Sequence, residues 1–119
     1  MDNHMIVSLN FLAAALAANV AHRFSLPFGV TLEAVNAAAD NTTSFILDIG
    51  TAADTDAYLD GVTVTGAAAT TTDFGRADFV NTQYPHIPAN TEIVVSIDYD
   101  GGAGGDGAGV AVTLVLSKG

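Results

Sequence analysis

Two runs near the end of the chain alternate apolar and polar residues so regularly that they dictate a sheet with one buried face. In the first, Ile93, Val95, Ile97 and Tyr99 fall on one side, and Val94, Ser96, Asp98 and Asp100 on the other. In the second, Val110, Val112, Leu114 and Leu116 oppose Ala111, Thr113, Val115 and Ser117. Successive side chains of a strand point to opposite faces, so a repeat of two is what a half-buried strand requires. Between the runs lies Asp100-Gly-Gly-Ala-Gly-Gly-Asp-Gly-Ala108, too glycine-rich to hold a helix and too polar to bury. The two runs therefore predict an antiparallel hairpin with a long exposed tip, whose apolar face the rest of the chain must cover.

The upstream chain repeats the pattern in shorter pieces. Met5, Val7, Leu9 and Phe11 alternate with Ile6, Ser8 and Asn10; Val20, His22, Phe24 and Leu26 alternate with Ala21, Arg23 and Ser25 until Pro27 removes an amide donor. Val30, Leu32 and Ala34 against Thr31 and Glu33 predict a third strand, and Phe45, Leu47 and Ile49 against Ile46 and Asp48 a fourth, stopping at Gly50. Residues 51–60 read as an acidic loop with one helical turn near residues 57–59, and residues 62–65 and 70–74 as short strands. Residues 79–88 read as an irregular crossing. Pro88 and Asn90 then set a turn, the first by fixing φ and the second by tolerating a left-handed backbone. The alanine-rich residues 12–18 suit a helix or a strand. About eight short strands at intervals of roughly 8 to 15 residues predict an all-β fold, an antiparallel β-sandwich of the jelly-roll kind. The expected organisation is one domain over residues 1–119, with residues 1–18 as an N-terminal contact strand or arm.

Composition narrows the chemistry. Thirteen acidic residues face three basic ones, Arg23, Arg76 and Lys118, for a formal charge of −10. Such a surface repels phosphate backbones and anionic lipids, so neither nucleic acid nor a membrane is an expected partner. It suits solubility and docking on a basic patch of a larger protein. The chain has no cysteine, which excludes disulfides, thiolate catalysis and cysteine-ligated zinc. Residues 11–18 resemble a signal-peptide core, but no Lys or Arg precedes them and the run is too short to span a bilayer, so no export or membrane segment is expected.

No motif marks a reaction. Gly102-Ala-Gly-Gly-Asp-Gly107 has the spacing of a dinucleotide fingerprint, but a strand follows it instead of a helix N-terminus. The same tip holds one copy of a calcium-binding G-G-x-G-x-D repeat, with Asp98, Asp100 and Asp106 as the alternative oxygen ligands; such repeats work in stacks, so a solvated tip is the expectation. Asp54, Asp56 and Asp60 before Gly61 depart from EF-hand spacing at Tyr58, leaving an acidic loop with a helix cap from Asp54 or Asp56. His4, His22 and His86 are scattered, and no serine lies in a nucleophile elbow. No catalytic residue, cofactor or metal is expected. Tryptophan is absent, and Tyr58, Tyr84 and Tyr99 are the residues that could line a sugar-binding groove.

Several phrases together resemble a family. Phe24-Ser-Leu-Pro-Phe-Gly29 leading into a strand, Leu47-Asp-Ile-Gly-Thr-Ala-Ala-Asp-Thr-Asp-Ala-Tyr-Leu-Asp-Gly61, Asn81-Thr-Gln-Tyr-Pro-His-Ile-Pro88 and the strand and tip over residues 94–105 look like small β-sandwich structural proteins of tailed bacteriophages, the capsid decoration or cement proteins and related virion accessory modules. The resemblance spans residues 20–118 and leaves the first twenty without a family pattern. It implies a jelly-roll protomer made in the host cytoplasm, a homo-oligomer with a trimer favoured, seated on the virion exterior with the major capsid protein as partner, and no enzymatic activity. Residues 5–18 carry more apolar surface than one strand needs, which marks Met5, Ile6, Val7, Leu9, Phe11 and Leu12 as expected subunit or capsid contacts. The rival readings are a glycan- or host-surface-binding module of a phage fibre, with a tyrosine-lined groove, and a hydrolase whose acids gather only on folding.

Overall fold

The computed structural model describes residues 4–11, 20–38, 45–64, 71–98 and 110–119. They form nine strands: β1 (His4–Phe11), β2 (Val20–Phe24), β3 (Val30–Ala38), β4 (Phe45–Gly50), β5 (Leu59–Val64), β6 (Thr71–Phe74), β7 (His86–Ile87), β8 (Ile93–Asp98) and β9 (Val110–Lys118). A single 3₁₀ turn, Arg76–Asp78, and a tight turn over Val80–Thr82 that includes left-handed backbone lie between β6 and β7. Among the described residues no helix is long and apolar enough to cross a membrane.

Every pairing is antiparallel, and the pairs are nested: β1 with β9, β2 with β8, β3 with β6 and β7, β4 with β5. Successive pairs fall in alternate sheets. Two further pairings, β3 with β9 and β4 with β8, complete a five-stranded sheet in the order β1-β9-β3-β6, with β7 also on β3, and a four-stranded sheet β2-β8-β4-β5. A nested ladder rolled into two facing antiparallel sheets is a jelly-roll β-sandwich.

This winding corrects the expected hairpin. β8 and β9 do not pair with each other; each lies inside a different sheet, β8 between β2 and β4 and β9 between β1 and β3. Periodicity shows that a run has one buried face but not which sheet it joins, and a glycine-rich connection serves a sheet-to-sheet crossing as well as a hairpin tip. The connection itself, residues 99–109, lies outside the described residues, as do Tyr99 and the predicted turns at residues 39–43 and 66–69.

The predicted inward faces meet as the core. Ile93, Val95 and Ile97 of β8 and Val110, Val112, Leu114 and Leu116 of β9 are all buried, joined by Phe45, Leu47 and Ile49 of β4. Leu114 stands in register with Val7 on one side and Val35 on the other, so its side chain is enclosed by neighbours on both flanks as well as by the opposite sheet. Leu114→Ala is expected to cost roughly 2–5 kcal/mol of unfolding free energy, read from urea denaturation, because the enclosed site can collapse only in part.

Two local differences have physical causes. In β3 the register with β9 shifts between Leu32 and Ala34, so Glu33 is an extra residue and the phase inverts: Ala34, expected inward, faces out, while Val35 and Ala37 become core. No helical turn forms at residues 57–59. Leu59 instead starts β5, buried in register with Ile49, and the preceding loop closes on Asp54, whose carbonyl accepts the N–H groups of Thr51 (2.8 Å) and Ala57 (3.2 Å). The turn expected at Pro88 and Asn90 is present, with Asn90 at φ 60° and its N–H donating to the Leu26 carbonyl at 2.7 Å.

Candidate assembly interface

A sheet edge presents unpaired N–H and C=O groups, and natural sheets blunt such edges by shortness, charge, proline or bulges. Among the described residues three of the four edges are blunted. β6 has four residues including Asp73, and β7 has two. β2 has five, with the exposed Arg23 ion-paired to Glu92 at 2.7 Å. β5 carries Asp60 and a left-handed Gly61 (φ 58°) where its register with β4 shifts. β1 differs. Its eight residues, His-Met-Ile-Val-Ser-Leu-Asn-Phe, contain no Asp, Glu, Lys, Arg, Pro or Gly, and it pairs with β9 along its whole length without a bulge. Among the described residues no strand covers its other edge.

The outer face beside that edge is equally plain. In register across β1, β9 and β3 lie Ile6, Val115 and Ala34, then Ser8, Thr113 and Asn36, with Ala111 beside Ala38 in the next row. None of these is charged, in a chain of formal charge −10. The charges nearby sit at the margins: His4 Nε2 reaches Glu33 at 2.5 Å, and Asn36 donates to Asp73 toward the β6 edge. Depletion of charge at the centre of a patch with charge at its rim is how protein interfaces are composed.

Within β1 the expected contact residues divide by the pleat. Met5, Val7 and Leu9 are half-buried and pack on the core, whereas Ile6 points out and is 68% exposed. The side chain of Phe11, and Leu12 altogether, lie outside the described residues, as do Asp100, Asp106 and the side chain of Asp98 proposed for calcium.

Sequence spacing missed one grouping. Carboxylate oxygens of Asp48, Asp56 and Asp60 come within 4.8 Å of one another. Asp48 faces outward on β4, Asp60 on β5, and the loop between these strands lays Asp56 over them. Asp48 already accepts the Gly61 N–H at 2.7 Å, and Asp56 and Asp60 are exposed, so the arrangement is an acidic turn; a calcium site would need roughly six to eight oxygens. Asp54 caps no helix; its carboxylate accepts the Asp56 N–H at 3.4 Å in an Asx turn. A side-chain hydrogen bond with Asp56 raises the Asp54 pKa above its ordinary 3.8, against the opposing pull of that backbone N–H. With the folded value above the unfolded one, the stabilisation is complete at pH below the unfolded value and is lost as pH rises through the folded one. An NMR titration is expected to place the Asp54 midpoint above 3.8, and Asp56→Ala to return it to that value or below.

The tyrosines also divide. Tyr58 packs against the core, and burial pushes its hydroxyl above the ordinary 10.0. Tyr84 is 49% exposed and lines a shallow, open depression of about 460 Å³ with Arg76, Asn81, Thr82 and Gln83, on the loop joining β6 to β7.

Comparison with known proteins gives no match to any family model and none among curated proteins. Solved structures do match. A chain of the capsid asymmetric unit of cyanophage Pam1 superposes with a TM-score of 0.60 at 18% identity, over 97% of this chain and 84% of that one. The coat protein of tobacco streak virus reaches a TM-score of 0.45 at 11% identity, over 99% of this chain and 88% of that one. A Podospora anserina GH26-CBM35 β-(1,4)-mannanase reaches 0.48 at 8% identity, over 100% of this chain and 28% of that one. The first of these identifies a shared fold; the other two are too distant to carry an argument.

Proposed function

We propose that this chain is a non-enzymatic virion structural protein, a capsid decoration or cement protein that binds the outer surface of a phage head as a homo-oligomer, a trimer, with the major capsid protein as its partner. The observation that carries the reading is the edge of β1, which carries no blunting residue and no further strand among the described residues, beside an uncharged outer face: an edge of this kind favours pairing with a defined strand or surface. A fold shared with a capsid chain supports it. The formal charge of −10 suits steering onto a basic shell, and several modest contacts held by one oligomer gain strength together. The acids that gather do so on an exposed outer face, where water keeps the dielectric high and leaves no preorganised environment for a reacting group.

Cryo-electron microscopy of the virion that encodes this chain tests the reading. Nine-stranded density with β1 against a neighbouring subunit on the outside of the head is the expected result. Finding the chain in a fibre, or nowhere on the particle, would overturn it.

A further inference from the structure

We infer that the concavity lined by Arg76, Asn81, Thr82, Gln83 and Tyr84 is a saccharide-binding site, separate from the β1 surface. Among the described residues only two large apolar side chains are exposed, Ile6 and Tyr84, and Tyr84 is the one set in a hollow. Its ring is braced from beneath by Phe79, itself 3% exposed, with centroids 6.5 Å apart and planes tilted by 60°. Tyr84 as a whole nonetheless remains about half exposed, at 49%.

The surroundings are chemically matched to a sugar. A pyranose offers an apolar C–H face that covers an aromatic ring, and a rim of hydroxyls that both donate and accept. The amides of Asn81 and Gln83 and the hydroxyl of Thr82 supply donors and acceptors around Tyr84. Arg76 adds a cation. The two other basic residues are engaged, Arg23 with Glu92 at 2.7 Å and Lys118 over the Phe28 ring at 4.8 Å, whereas Arg76 has no ion-pair partner among the described residues. A saccharide with an isolated carboxylate, such as a uronic acid, would satisfy it.

The loop is also built to hold one shape. Asn81 and Thr82 take left-handed backbone in succession, at φ 62° and 54°, and for β-branched Thr82 this is a costly conformation that its surroundings impose. Thr82 N–H donates to the Phe79 carbonyl at 2.9 Å, Val80 N–H to that of Tyr58 at 3.0 Å and, just past Tyr84, Leu32 N–H to that of Pro85 at 2.8 Å. Preorganisation of this kind lowers the ordering cost of binding. β6 and β7, which bracket the loop, pair with β3 on the side away from β9 and β1, so a partner seated on the β1 edge leaves the hollow open.

The test is a titration of ¹⁵N-labelled full chain with oligosaccharides, neutral and uronic-acid-containing, into the millimolar range. The expected result is movement of amide signals over residues 76–84, with tighter binding of acidic than of neutral sugars. Tyr84→Ala should weaken binding about tenfold. Asn81→Gly removes one amide while relieving the left-handed backbone, so it should weaken binding with an unchanged or raised melting temperature, which separates loss of the site from loss of the fold. Arg76→Gln should abolish the preference for acidic sugars. No shift with any sugar, or wild-type binding by both Tyr84→Ala and Asn81→Gly, would overturn the inference without touching the β1 assignment.

Discussion

If β1 lies in the proposed homo-oligomer interface, Ile6→Asp is expected to reduce the protein to protomers of 12.1 kDa while leaving its unfolding free energy nearly unchanged. Ile6 is 68% exposed, so the folded protomer loses little when its side chain is replaced. In an assembly that covers the outer face of β1, the same carboxylate would be buried without a partner, against Val115 in register on one side and a second subunit on the other. Truncating an interface anchor alone costs about 2 kcal/mol or more, and an unpaired charge adds to that, so each interface should weaken at least about a hundredfold. Light scattering on a concentration series reads the mass. Thr63→Asp, also exposed but on β5 of the other sheet, is the control and should leave the mass as it was. Equal masses for Ile6→Asp and the unsubstituted protein would remove β1 from the interface.

Gly50→Ala should destabilise the fold as strongly as a large-to-small change in the core. A Cβ at this position would lie 2.2 Å from the Asp54 carbonyl oxygen, 2.4 Å from the Thr55 carbonyl carbon and 2.7 Å from the Ala57 nitrogen, all backbone atoms that cannot step aside singly. Gly50 faces outward at the end of β4, in register with Val94 of β8. The loop over residues 51–57 therefore lies directly on the outer face of the four-stranded sheet, which explains why Val94 is fully buried although it belongs to the side opposite the core. One methyl group would force the loop to lift and uncover Val94. The expected cost is about 3 kcal/mol or more, a fall in melting temperature of about 10 °C or more for a chain of this size. Gly75→Ala, where a Cβ would meet nothing within 4 Å, should change stability by less than about 0.5 kcal/mol.

How far the chain could be read in advance follows from which interactions are local. Alternation placed Ile93, Val95 and Ile97, and Val110 to Leu116 at every second residue, on buried faces, because the pleat alone decides which side a residue occupies. The turn chemistry of Asn90 was legible for a similar reason, since its left-handed backbone depends on its own side chain. Pairing was not legible. Whether β8 meets β9 or lies across the sandwich from it depends on what the first half of the chain does. The bulge at Glu33 inverts the faces of Ala34 and Val35 by one inserted residue that no periodicity announces. Val94 is apolar on an otherwise polar face because the loop from Thr51 lies over it, a contact that alternation does not encode.

The candidate surfaces show the same division. That β1 carried surplus apolar residues could be read directly, but only the fold separates Ile6, facing out, from Met5, Val7 and Leu9, spent on the core. Asp48 joins Asp56 and Asp60 through the β4 and β5 pairing, a proximity that spacing within the loop could not reveal. Around Tyr84 the signal was one aromatic residue. Consecutive left-handed Asn81 and Thr82 had no announcement, because threonine is not a residue that favours that conformation.

The edge of β1 can be interrogated by amide hydrogen exchange over residues 4–11, followed at concentrations where the protein is assembled and where it has dissociated. If a second chain completes the sheet, those backbone amides that point away from β9 will exchange as slowly as core amides of β9 in the assembly and quickly in the free protomer. Rates that are fast in both states, or that do not change with assembly, would show that nothing pairs with this strand.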